Sequence, residues 1–300
     1  MYFIGVSTAQ SSMMRIFPAW ADFLNLGAVL QGIDLPLNAP PADYRAVVEH
    51  IKSQPLARGA LVTTHKIDLL EAARDLFDEL DTYATLCQEV SAIAKHGEKL
   101  FGAAKDPITS GLAWQAFIPP EHFSQSGGEV LCLGAGGAGV SISVYAAQLP
   151  PQQQPRAFTI VDVNPRRLAK IHSLHDQLET ALDFRYVLNA DAAHNAALLA
   201  ALPAGSLVIN ATGMGKDRPG SPLPTEALFP MDAFVWELNY RGALDFLHQA
   251  RAQAVARRLR VEDGWVYFLH GWTQVMAEIF GFNLTPAQFA ELDRLAVALR

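Results

Sequence analysis

The sequence predicts an α/β protein of two domains. Three observations carry that expectation. Short apolar runs alternate with helical segments through the first hundred residues, the pattern of a mainly parallel sheet flanked by helices. The pattern breaks at "AFIPPEHFSQSGG", residues 116–128, where two prolines and two glycines stand in a polar stretch of the kind that separates domains. It resumes with "EVLCLGAGGAGVSISVYAAQL", a buried strand, a glycine-rich turn and a helix.

The elements follow in order. "YFIGVS" reads as a strand and "SMMRIFPAWADFLNLG" as a helix that Gly27 suits to end. "AVLQGIDLPL" is a second strand, and "PPADYRAVVEHIKSQ" a helix opened by prolines. "GALVTT" is a third strand, and "KIDLLEAARDLFDEL" an amphipathic helix that begins on Lys66. "EVSAIAKHGEKLFGAAKD" alternates about His96-Gly97 as a β-hairpin. After the break, "PRAFTIVDVNPRRLAKIHSLHDQL" repeats strand, loop and helix. "SLVINATGMG" and "AFVWELNY" are two further strands, "RGALDFLHQARAQ" is a helix, and the chain is helical from Trp265 onward. The expected division places residues 1–119, with about 263–300 returning, in one domain and 120–262 in the other.

The bulk numbers limit the function. A chain of 300 residues that is 50% hydrophobic can build two cores. Its net charge of -7 is spread without blocks, so there is no basic footprint for nucleic acid and no polybasic face for a membrane. Cys87 and Cys132 are far apart in apolar settings and read as buried small hydrophobes. The histidines show no ligand spacing, so no metal is expected. His172 and His175 read as a polar helix face, and His65 as a turn histidine touching backbone. The N-terminus lacks a basic region and a cleavage site, and a cytoplasmic protein is expected.

The glycine-rich turn is the most informative stretch. Gly134, Gly136 and Gly139, with Ala135, Gly137 and Ala138 between them, form G-x-G-x-x-G at a strand-to-helix junction. The first glycine permits the tight turn, the second a close approach by a pyrophosphate, and the third close packing of helix on strand. The helix N-terminus then offers amide groups and partial positive charge to the phosphates. Asp162 lies 23 residues after Gly139, at the end of "FTIVD", where a carboxylate accepts from ribose hydroxyls and repels a 2′-phosphate. NAD is therefore favoured, and NADP stays open because Arg166 and Arg167 follow. Asn210, Ala211, Thr212 and Gly213 end a strand at the same sheet edge and complete the expected Rossmann dinucleotide site.

A dehydrogenase of alcohols also needs a group to take the hydroxyl proton as hydride leaves. A lysine of lowered pKa, oriented by a carboxylate, can do so. Lys66, at a strand-to-helix junction, and Asp106, in a loop just after the hairpin, are the candidate catalytic pair.

The order of these elements and motifs resembles the shikimate/quinate dehydrogenase family over nearly the whole chain. "ALVTTHK" resembles its lysine motif and "AKDP" its aspartate segment. "LGAGGAG" and "NATGMG" resemble its cofactor turns, "ELNYRG" its tyrosine segment with Tyr240, and "DGWVYF" its last motif. The resemblance implies an N-terminal substrate-binding domain, a Rossmann NAD(P)-binding domain and a cleft between them. It also implies substrate contacts by Ser11, Ser12, Thr64, Ser91, Lys105, Tyr240 and His270. The substrate side departs from the family pattern. Met13 stands for the second serine, Ser91 for an asparagine, Ala104 and Lys105 for asparagine and threonine, and Thr64 for a proline. Those changes remove neutral hydrogen-bonding groups, so a related hydroxylated cyclic acid or polyol is expected rather than shikimate itself. The rivals are a non-catalytic dinucleotide-binding sensor and a methylenetetrahydrofolate-type dehydrogenase. The expected partner is a small molecule, with the choice between monomer and homodimer open.

Overall fold

The computed structural model describes residues 1–216 and 218–299. By its own contacts the chain divides into Met1–Lys105 with Gly271–Arg300, and Asp106–His270. The helix Asp106–Phe117, placed with the first domain by the reading above, is counted with the second unit.

The first unit holds a six-stranded mixed sheet. Its strands are β1 (Tyr2–Gly5), β2 (Gln31–Asp34), β3 (Gly59–Val62), β4 (Glu79–Leu80), β5 (Ala92–His96) and β6 (Lys99–Ala103), in the order β2-β1-β3-β5-β6-β4. β1 runs parallel to β2 and β3, whereas β5 is antiparallel to both β3 and β6. The fully buried "GALV" of β3 lies at the centre. Helices α1 (Met13–Phe23), α2 (Pro41–Ser53), α3 (Lys66–Ala73) and α4 (Thr82–Cys87) connect the strands. Ile4, Tyr44, Val48, Ile51, Val62 and Leu69 form part of the core. Lys95 is buried, but its ammonium donates to Ile51 O and Gln54 O, so a cation satisfies the last carbonyls of α2.

One local expectation needs correction. The helix from Lys66 ends at Ala73 rather than running to Leu80. Asp78 N bonds to Leu100 O and Asp81 N to Gly102 O, so pairing with β6 captures the segment that its periodicity would have made helical. His65 touches backbone from its turn, as expected, and is buried as well. It is 1% exposed and bridges the Tyr44 hydroxyl at Nδ1 and Leu35 O at Nε2, which pins the start of α3 to α2.

The second unit holds an all-parallel sheet. Its strands are β7 (Val130–Leu133), β8 (Ala157–Asp162), β9 (Asp183–Leu188), β10 (Leu207–Asn210), β11 (Phe234–Glu237) and β12 (Arg260–Glu262), in the order β12-β11-β10-β7-β8-β9. The order reverses between β7 and β10, which is where open α/β sheets bind ligands. Helices α5 (Asp106–Phe117), α6 (His122–Ser126), α7 (Gly137–Gln148), α8 (Pro165–His175), α9 (Ala192–Ala200) and α10 (Asp245–Arg257) accompany it. One face packs Trp114, Ile142, Phe158 and Trp236, and the other Leu131, Val161, Leu199 and Phe246. Two layers of apolar packing explain why these strands read as continuous apolar runs. α11 (Trp265–Phe280) and α12 (Pro286–Val297) end the chain. In the first unit the Trp20 indole donates to Leu292 O at 2.8 Å, and Phe3 meets Trp272 edge-on at 4.9 Å.

His172 and His175 do not share a polar face. His172 is exposed, but His175 is 5% exposed and stacks on Phe184 with centroids 3.7 Å apart. The Ser143 hydroxyl donates to Val140 O, so His175 Nε2 donates to Ser143 Oγ and Nδ1 accepts from the Tyr186 hydroxyl, each at 2.8 Å. These bonds join α7, α8 and β9 through a neutral imidazole. Burial pushes its pKa down to about 4. The unfolded chain binds that proton nearer 6.5, so the contribution is complete above pH 6.5 and is lost as pH falls toward 4. The decline in melting temperature between pH 7 and pH 4.5 is expected to shrink in His175→Gln, by the equivalent of about 1–3 kcal/mol. Parallel declines in the two proteins would contradict this.

Candidate active site

The turn after β7 is built by contacts that tolerate no side chain. Gly134 has φ +114°, and a Cβ there would stand 2.5 Å from Ala211 O and 3.0 Å from Thr212 N. A Cβ on Gly139 would stand 2.2 Å from Gly134 O. Backbone meets backbone at both places, so neither substitution is relieved by rotating a side chain. Gly136, the N-cap of α7, differs: its φ is −79° and a Cβ would meet nothing within 4 Å. Its emptiness faces outward. Gly137 is exposed, Ala138 is half-buried, and the first turn of α7 carries no acid. This cradle fits a diphosphate, which needs close backbone approach and a helix N-terminus free of repelling charge.

Asp162 does more than its position in the sequence suggested. It is 7% exposed. Its Oδ2 accepts from Ala135 N at 2.7 Å and its Oδ1 from Asn164 N at 2.8 Å. The acid therefore holds the glycine turn and the start of α8 together. Each carboxylate oxygen retains a second lone pair for a ribose hydroxyl. Arg167 comes to 3.9 Å from Oδ2. Gly134 and Asp162 line one groove with Arg167, Asn195, Thr212 and Arg218, roughly 720 Å³ of open space at the C-terminal ends of β7, β8 and β10. The neighbouring Cys132 thiol is buried and pushed up to about 12, so it is inert there.

The segment after β10 closes the groove. Asn210 is buried, and its Oδ1 accepts from Thr212 N and Thr212 Oγ1, folding Ala211 and Thr212 back over Gly134. Gly213 follows at φ +74°. Asn210 Nδ2 donates to Glu237 Oε2 at 2.7 Å, a partner the sequence reading did not single out. The one signal was an acid ending the apolar run "AFVWE". Arg218 was also missed. Its Nη2 donates to Thr212 O at 2.9 Å from a loop whose neighbour Asp217 lies outside the described residues.

In the first unit, several expected substrate residues gather at the C-terminal ends of β1, β3 and β6. Lys66 is half-buried and opens α3, and its carbonyl accepts from Val90 N. Ser91 is buried. Its carbonyl accepts from Val62 N, and its hydroxyl accepts from Lys105 N at 2.7 Å. These bonds tie the Lys66 junction to the end of β6, one residue before Asp106. Lys105 itself is engaged, with its ammonium 2.5 Å from Glu278 Oε2. Thr64 is exposed. Ser11 accepts from Met13 N, and Ser12 precedes α1, after the C-terminal end of β1. In the second unit, half-buried Asp106 is the first residue of α5, where the helix dipole favours a carboxylate. Tyr240 stacks on Phe268 at 4.3 Å and meets Trp265 edge-on. His270 is held at about 4 by burial, so it is neutral at pH 7. Among the described residues there is no metal-holding group of three or more His, Cys, Asp or Glu, and no helix long and apolar enough to cross a membrane.

A curated relative, the shikimate dehydrogenase (NADP+) of Streptococcus gordonii, is 32% identical over 179 residues. The match spans 59% of either chain, so it covers less than two thirds of that relative. Two solved structures carry the same fold along the whole chain. One is shikimate 5-dehydrogenase of Listeria monocytogenes in complex with shikimate and NAD, with TM-score 0.76, 17% identity and coverage of 100% and 96%. The other is quinate dehydrogenase of Corynebacterium glutamicum in complex with NAD, with TM-score 0.73, 19% identity and coverage of 99% and 98%. The chain shares the fold of shikimate and quinate dehydrogenases. No protein-family model matches it.

The contrast between the glycines of this turn is testable. Gly134→Ala is expected to lower stability by about 1–3 kcal/mol, through a clash and a strained φ. Gly136→Val is expected to fold with a nearly unchanged melting temperature and to weaken dinucleotide binding by more than ~10-fold, by filling the space a diphosphate needs. Calorimetric titration and thermal melts would read both. Equal effects of the two substitutions on stability would contradict the assignment.

Proposed function

We propose that the protein is an NAD(P)-dependent oxidoreductase acting on a CH–OH group of a hydroxylated cyclic acid or polyol, with Lys66 and Asp106 as its catalytic pair. The glycine-turn groove at the sheet reversal carries this reading, in a chain whose curated relative is named a shikimate dehydrogenase. The nicotinamide, when bound, supplies a hydride acceptor or donor.

The chain's own residues do the rest. Gly134, Gly136 and Gly139 admit the diphosphate, and the amides of α7 stabilise its charge. Asp162 orients the adenosine ribose while holding the turn. Asn210, Ala211, Thr212 and Gly213 shape the groove beside them. Lys66 takes the hydroxyl proton in oxidation and returns one in carbonyl reduction, and Asp106 orients its ammonium. The bonds from Lys66 through Val90 and Ser91 to Lys105 support a fixed geometry for this lysine. The carboxylate at position 162 favours NAD, since a 2′-phosphate beside a buried acid would be repelled. Arg167 keeps NADP in reach.

Substrate choice is read from what the pocket residues already hold. The Ser91 hydroxyl donates to Ala103 O at 3.4 Å, and the Lys105 ammonium pairs with Glu278. Neither is a ready donor for a substrate carboxylate, which favours a ring or polyol different from shikimate. Ser11, Ser12, Thr64, Tyr240 and His270 complete the proposed contacts.

Reduction of NAD and NADP should be followed against shikimate, quinate and a panel of cyclic polyols. Turnover with one of them is expected, and Lys66→Ala should lower kcat by ~10²–10⁴-fold, the range for loss of a general base. Its dinucleotide affinity should be unchanged. Silence with every compound, or undiminished turnover in Lys66→Ala, would overturn the reading.

A further inference from the structure

Glu237 ends β11 with no exposure to solvent. Its Oε2 accepts from Asn210 Nδ2 at 2.7 Å. Its Oε1 accepts from Asn239 N at 2.8 Å and Asn239 Nδ2 at 2.7 Å. Both amides reach onward to the same carbonyl, Met214 O, at 3.3 Å from Asn210 and 3.0 Å from Asn239. One carboxylate thus clamps the segment after β10 against the segment after β11. The segment it holds, 210–214, is the one that folds over Gly134 and lines the groove.

All three hydrogen bonds to Glu237 come from N–H donors. A carboxylate accepts them all, whereas a carboxylic acid must donate from one oxygen. The surroundings hold no acceptor in reserve among these partners. Asn210 Oδ1 already accepts from Thr212 N and Thr212 Oγ1, so reversing that amide would release Thr212. Reversing the Asn239 amide would take Nδ2 away from Met214 O. Either way, a proton on Glu237 costs the segment one of its anchors.

The groups facing Glu237 favour that proton. β10 presents neutral Asn210 and the turn after β11 presents neutral Asn239. After β12 stands Asp263, whose charge repels the carboxylate, next to Gly264, which packs on Leu238 O and donates its N–H to Asn239 O. Glu262 on β12 is a second acid, with its own pKa raised by burial and Asp263, and Arg251 of α10 acts on it in the opposite sense. Burial and Asp263 push Glu237 up to about 7 against its three hydrogen bonds.

We propose that Glu237 is the positioning residue of the dinucleotide site, holding residues 210–214 in their binding conformation only as the carboxylate. The proposal rests on the reading of this groove as the dinucleotide site. The sign follows from linkage. The clamp is complete well above pH 7 and is lost as pH falls below 7, so dinucleotide affinity declines on the acid side.

The test measures Kd for NAD by calorimetry from pH 6 to pH 8.5 at constant ionic strength, in the wild type and in Glu237→Gln. The wild-type Kd is expected to rise ~3–10-fold between pH 8 and pH 6, within the tenfold per pH unit that one proton allows. Glu237→Gln, which carries an N–H₂ where the carboxylate accepted, is expected to bind weakly at every pH, with a flat profile. A flat profile in the wild type, or a slope kept by Glu237→Gln, overturns the proposal. Hydrogen exchange of the free wild-type protein decides it without a substitution or a ligand. The amides of Thr212 and Met214 should lose protection from pH 8 to pH 6, after correction for the intrinsic rate, and unchanged protection overturns the proposal. A protein that binds no dinucleotide at any pH would refute the proposed function, while the exchange result would still decide the role of Glu237.

Discussion

The contact on which the site depends is that between Gly134 and the backbone of Ala211 and Thr212. Parallel pairing of β7 with β10 brings two strand ends side by side at the point where the sheet order reverses. The chain leaves β7 toward α7 and leaves β10 toward the 210–214 segment, so a crevice opens between them. A residue with a Cβ at 134 would prise the two loops apart, because the atom it would meet, Ala211 O, is a carbonyl oxygen and not the end of a flexible side chain. The same lack of side chains that closes the loops on each other leaves Gly136 facing open space. One composition choice therefore shapes both the wall of the groove and its entrance.

Two buried acids hold this arrangement by different means. Asp162 accepts backbone amides from the glycine turn and from the start of α8, a setting that stabilises negative charge. Glu237 accepts mainly side-chain amides, lies deeper and faces another acid, so burial outweighs its hydrogen bonds. The difference matters for function. The Asp162 carboxylate, tied to two backbone amides, suits recognition of a ribose. Charge at 237 is poised near neutrality and couples the groove to pH.

Most of the second unit was legible in the sequence because its strands are buried on both faces. "EVLCL", "FTIVD", "SLVIN" and "AFVWE" are apolar runs bounded by turns, and the glycine spacing marked the ligand edge. β9 was not read, since "DFRYVL" is a half-exposed edge strand whose charged residues dilute the apolar signal. β4 was hidden inside a helical pattern, because its two residues are held by β6 and not by any local preference. The departures at the substrate side were visible as substitutions, but their meaning was not. Only the structure places Lys105 on Glu278 and the Ser91 hydroxyl on a backbone amide. Glu237 escaped for the same reason: its partners Asn210 and Asn239 gain their roles from strand pairing, which no spacing along the chain announces.

The measurement that bears most directly on the account is a crystal structure of the protein grown with saturating NAD. The diphosphate is expected against Gly136 at the N-terminus of α7, with the adenosine ribose beside Asp162 and the chain 210–214 along its other side. A dinucleotide seated away from the glycine turn, or none bound at saturation, would contradict the account.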